Sequence, residues 1–72
     1  MNIALMANLD ALHLRLQRAE RAAADARTEL GYGRQNLAIG TILDLETLLP
    51  ECEALFRMVL MIHRSKTGQD AP

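Results

Sequence analysis

The sequence predicts an all-α fold: an antiparallel helical hairpin that assembles as a homodimeric four-helix bundle, its second helix kinked or broken near Pro50. Three observations predict it. Two long segments carry apolar residues at helical spacing, two nearby glycines separate them, and the apolar residues exceed what one hairpin can bury. The whole chain, 1–72, is expected to be one domain.

The first helix is expected over 3–30. Leu5, Leu9, Leu12, Leu16, Ala19, Ala23, Ala26 and Leu30 recur at alternating steps of four and three, the heptad spacing of a helix with one apolar seam. Asp10, Gln17, Arg18, Arg21, Asp25 and Thr28 fall on the other side, and no Gly or Pro interrupts the run. A turn is expected over 31–35. Gly31 follows the last periodic residue and can take the left-handed conformation of a helix C-cap, and Gly33 loosens the turn further. Asn36 is a candidate N-cap for the next helix, although no Glu or Gln three residues on completes a capping box.

The second helix is expected over 36–64. Its first stripe is Ala38, Thr41, Leu45, Leu48, Cys52, Leu55, Val59 and Ile62. Folded back antiparallel, it sets Leu5 opposite Ile62, Leu9 near Val59, Leu12 near Leu55 and Leu16 near Cys52. The alanines at 19, 23 and 26 then face Leu48, Leu45 and the Thr41–Ile42 pair, small against large. A short loop independently favours antiparallel neighbours. Pro50 is discordant, because an internal proline removes a hydrogen bond and crowds the preceding turn at a cost of about 3 kcal/mol. Either the helix bends and continues, or it breaks within 47–50 and Thr47 caps a new helix. The apolar spacing runs through position 50 without slipping, which favours the bend. The tail, 65–72, has no periodicity and is expected to fray.

The second helix holds more apolar residues than this stripe uses. Ile42, Leu49 and Phe56 form a second line, with Ile39, Leu43 and Leu60 beside it. These six are the expected dimer or partner face, with Phe56 the anchor candidate because it is the one large apolar aromatic. The first helix adds Ile3, Met6 and Leu14 off its seam. Two helices apolar on more than one side cannot cover each other. A chain this short also buries only about 60% of its unfolded surface, and such chains usually need a disulfide, a metal or a partner. The single Cys52 allows no internal disulfide, and two distant histidines, His13 and His63, make no metal site, so self-association is the expected remedy.

Composition narrows the function classes. The formal net charge is -1 and neither half of the chain is strongly biased, so no polyanionic or polycationic partner is indicated. Arg15, Arg18 and Arg21 are spaced to grip a phosphate backbone and are the weak nucleic-acid candidates. Asp10, Glu20, Asp25 and Glu29 interleave with them, and Arg21 to Asp25 reads as an i,i+4 ion pair on a solvated face. No nucleophile has a histidine on its own helical face, and Glu51 and Glu53 point apart, so no catalytic, cofactor-binding or metal residues are assigned. Cys52 lies on the seam and reads as a small buried hydrophobe. Charges through the middle of 37–62 exclude a membrane span. Asp10 interrupts the apolar N-terminus with no basic run before it, so no signal peptide is expected and the location is read as cytoplasmic.

The expected function is therefore non-catalytic: a protein–protein interaction module, a small regulator, adaptor or inhibitor acting as a helical dimer. Two alternatives stand beside it. One is a co-chaperone-like hairpin stable only with a hetero-partner; the other is an RNA- or DNA-binding helical-bundle regulator. In length and layout the chain resembles the small helical hairpins that serve as plasmid or phage regulators and as secretion-system co-chaperones, without sharing a motif with them.

Overall fold

The computed structural model describes residues 2–70, with side chains over 2–65. It contains three helices: α1 (Ile3–Gly31), α2 (Gln35–Ile42) and α3 (Leu45–Asp70). α1 packs antiparallel against α2 and α3, which follow one another as the two pieces of a bent second arm. The result is an all-α hairpin with a bend, one layer thick, with principal extents of 60 × 18 × 13 Å. Its radius of gyration is 16.9 Å, against about 11 Å for a compact chain of this length.

α1 begins where Asn2, in an extended conformation, accepts the Leu5 amide on its side-chain oxygen at 2.9 Å. That satisfies one of the amides a helix start leaves orphaned. The helix ends in a Schellman turn. The Arg34 amide donates to the Glu29 carbonyl and the Gly33 amide to the Leu30 carbonyl, both at 2.9 Å. The left-handed residue is Gly33, with φ 76°. Gly31, expected in that role, is the last residue of α1. One more helical residue, Gly31, and the C-cap Tyr32 fit before the reversal, and only then does the chain need positive φ. Arg34 reinforces the reversal, pairing with Glu29 at 3.1 Å while its guanidinium lies 5.2 Å from the centre of the Tyr32 ring. α2 consequently starts from Arg34 without a side-chain cap, and Asn36 lies inside the helix rather than capping it.

The second arm breaks at Leu43–Asp44, earlier than the 47–50 window. There the Glu46 amide turns to Leu43 and the Thr47 amide to Asp44, tightening the ladder to three-residue steps before the Leu48 amide resumes the four-residue step to Asp44. Asp44 is a residue type that starts helices well, and with Glu46 it puts carboxylates at the positive end of α3. Pro50 lies inside α3 and is exposed. Pro50 and Glu46, the residue whose carbonyl it leaves without an amide partner, are both on the exposed side of α3. A bend there also follows the sense in which helices curve, convex to solvent. That geometry explains why the helix runs through Pro50. α3 extends to Asp70, past the expected end at 64; residues 71–72 of the expected tail lie outside the described residues.

The seam between the arms is thin. Its buried residues are Ala22, Ala26, Ala38 and Cys52, and among the described residues no larger apolar side chain reaches that state. Along α1 the least exposed positions are Leu5, Asn8, Ala11, Leu12, Arg15, Ala19, Ala22, Ala26 and Glu29. Half of the expected stripe is therefore displaced by one residue. Asn8, Arg15, Ala22 and Glu29 take the places assigned to Leu9, Leu16, Ala23 and Leu30. On the other arm the seam runs as expected through Ala38, Thr41, Leu45, Leu48, Cys52, Leu55, Val59 and Ile62. The Arg15 Nε donates to Glu51 Oε1 at 3.1 Å across the seam, which marks the register of the two arms.

Candidate interaction face

The one-residue displacement separates the two flanks of the hairpin. On one flank Arg18, Asp25, Asp44, Thr47 and Glu51 line a common groove. In antiparallel helices, positions on the same side of the two seams meet on the same flank, so the positions across the seam from these share the opposite one. There α1 presents Leu9, Leu16, Ala23 and Leu30, and the second arm presents Ile42, Leu49 and Phe56. In the register marked by Arg15 and Glu51, Leu9 lies level with Phe56, Leu16 with Leu49 and Ala23 with Ile42.

Apart from the half-buried Ile42, this flank is open to water. Leu16 is 48% exposed, Leu49 53% and Phe56 52%, and Leu9 and Leu30 are exposed as well. A rim of polar residues borders it, with His13, Glu20 and Arg27 along α1 and Glu46 and Glu53 along α3, all exposed. Glu53 is held by Arg57 one turn on, at 2.8 Å. The chain exposes 5696 Å² in all. A compact protein of 8.0 kDa exposes about 4,450 Å². The excess, about 1,200 Å², is the cost of a fold only one layer thick.

The expected face residues do not all fall together. Ile42, Leu49 and Phe56 share the apolar flank. Ile39 and Leu60 border it, Leu60 half-buried beside Phe56 and Ile39 exposed. Leu43 departs from the group: at the break between α2 and α3 it turns to the groove with Arg18 and Asp44. Sequence reasoning missed Leu9, Leu16 and Leu30 because it had assigned them to the seam. The signal was the width of the α1 stripe, in which Leu9 and Leu16 broaden an already apolar face beyond what one partner helix covers.

The arginine candidates are divided as well. Arg15 is taken up by the seam, bonded to Glu51 and, through Nη1, to the Ala11 carbonyl at 3.2 Å. Arg18 and Arg21 line the groove, where Asp25, Asp44 and Glu51 offset their charge. Among the described residues, the Arg21–Asp25 pair expected from spacing does not close to ion-pair distance. Cys52 is 7% exposed with a free thiol. Among the described residues no three or more His, Cys, Asp or Glu side chains gather in a metal-holding group, and no helix is long and apolar enough to cross a membrane. Compared with family models, curated proteins and solved structures, the chain matches none.

Proposed function

We propose that this chain is a non-catalytic protein–protein interaction module, a small regulator, adaptor or inhibitor that works as a helical dimer. One observation carries the reading: a continuous apolar flank, built from both arms and bordered by charges, stands open while the seam buries nothing larger than Cys52. Exposed apolar patches of this kind, rimmed by polar residues, mark protein contacts. The area supports it too, because a stable interface removes about 800 Å² from each partner, within the surplus the chain carries. The nucleic-acid alternative draws no such support, since Arg15 is engaged in the seam and Arg18 and Arg21 share their groove with three carboxylates.

Light scattering at several concentrations, for the wild-type chain and for Phe56→Asp, tests this reading. The wild-type chain is expected at twice its 8.0 kDa mass, and the variant at its monomer mass or with its association shifted to far higher concentration. A wild-type chain that is helical, soluble and monomeric throughout overturns the reading. A chain that is poorly helical alone moves it to the co-chaperone-like alternative, a hairpin completed by a different protein.

A further inference from the structure

We infer that the occupant of the apolar flank is a second copy of this chain, related by a two-fold axis parallel to the helices. α1 of each copy then lies over α3 of the other, and both turns sit at the same end. This rests on the interaction reading above and adds the identity and orientation of the partner.

The rims decide the orientation. A flat face built from two arms can stack on its own copy in two ways with antiparallel neighbours. An axis across the helices lays α3 on α3, bringing Glu46 and Glu53 of both copies onto one rim, four carboxylates of which, among the described residues, only the two Glu53 are paired, each with its own Arg57. It also lays α1 on α1, bringing His13, Glu20 and Arg27 of both copies onto the other rim. An axis along the helices instead crosses the rims. Met6 meets Leu60 of the second copy, His13 meets its Glu53, and Arg27 meets its Ile39. One like-charge level remains, Glu20 with Glu46 of the second copy.

This axis also fixes the levels, because it allows no sliding between the copies. Leu9 packs on Phe56 of the second copy, Leu16 on its Leu49, and the small Ala23 on its Ile42. The most apolar stripe of α1, through Leu9 and Leu16, then points to the centre of four helices rather than at α3 alone. That accounts for the thin seam: the hairpin is half of a core. A net charge of -1 sets little repulsion against self-association.

The orientation is read from the distance between turns. Gln35→Cys in a Cys52→Ala background carries one spin label per full-length chain, and mass is measured on the same sample. The proposed dimer gives a label separation under about 25 Å, from helix spacings of 8–10 Å and the label arms. The crossed arrangement puts the turns at opposite ends, about 40 Å apart at 1.5 Å per residue. A dimeric mass with the short distance supports the inference. A dimeric mass with the long distance overturns the orientation and leaves the dimer standing, whereas a monomeric mass overturns both. If the labelled chain folds poorly, His13→Lys in the otherwise native chain decides instead. Beside Glu53 of the second copy, the new charge should tighten dimerisation several-fold at low salt; on a rim shared with the second copy's own residue 13 and Arg27, it should loosen it, which overturns the orientation.

Discussion

Replacing Ala22 and Ala23 in turn by leucine tests which face of α1 the hairpin buries. The two residues are chemically identical neighbours, yet Ala22 is 6% exposed in the seam while Ala23 lies on the open flank. Leucine matches alanine closely in helix propensity, so the local helix is not the variable. At position 22 the added side chain must enter a closed site between the arms. Overpacking of this kind costs about 1–3 kcal/mol. A chain of this length has about 4–11 kcal/mol of stability in total, so a cost near 2 kcal/mol is a large share. It should lower the melting temperature by about 8–16 °C. Ala23→Leu, compared with all three chains carrying Phe56→Asp so that no second copy covers the flank, adds its side chain to open surface and should leave stability within about 0.5 kcal/mol of the reference chain. Thermal and urea unfolding followed by circular dichroism, at one fixed chain concentration, compares the three proteins. If Ala23→Leu proves the more damaging, or the two variants lose equal stability, then Leu9, Leu16, Ala23 and Leu30 belong to the seam and the open flank does not exist.

Three further substitutions probe the turn, the short helix and the ion pair. Gly33→Ala forces a Cβ into a backbone with φ 76° and should cost about 1–2 kcal/mol in urea unfolding; no loss would mean that the turn adopts another conformation. Gly40→Ala should stabilise the chain by about 0.5–1 kcal/mol, because the position is helical and nothing stands within 4 Å of an added Cβ; a loss would reveal a close neighbour at that face. A double-mutant cycle on Arg15 and Glu51 should return a coupling below about 1 kcal/mol that fades with salt, as both side chains keep substantial exposure. A salt-insensitive coupling above about 2 kcal/mol would show that the pair is buried.

Much of the architecture was legible in the residues, and the exceptions share a cause. α1 was clear from its unbroken periodicity, and the antiparallel return was clear from the glycines and the matching stripes. The exact seam was not. Counting apolar residues selects the most apolar stripe, and on α1 that stripe runs through Leu9 and Leu16. The hairpin instead rotates α1 so that Asn8, Arg15 and Glu29 border the seam. It can do so because the seam is shallow. None of these polar residues is fully buried, and Arg15 and Glu29 each hold an ion pair. The break was misplaced for a related reason. Pro50 carries the stronger signal in sequence, yet its position on the outer surface lets the helix pass through it, while the break falls at Leu43–Asp44, six residues and more earlier. The apolar flank of the second arm was visible as Ile42, Leu49 and Phe56. Its complement on α1 emerged only once the rotation of that helix was known.

The tightened step at Leu43–Asp44 divides the second arm into pieces of unequal cooperativity. α2 spans little more than two turns and has Ala38 as its buried anchor, whereas α3 carries its own long hydrogen-bond ladder. An isolated helix as short as α2 does not hold itself together, so its order is borrowed from the Schellman turn on one side and from α1 beneath it. The turn-proximal end should therefore open as a unit, α2 lifting away while α1 and α3 stay paired. Its amides should exchange with solvent deuterium well before those flanking Cys52.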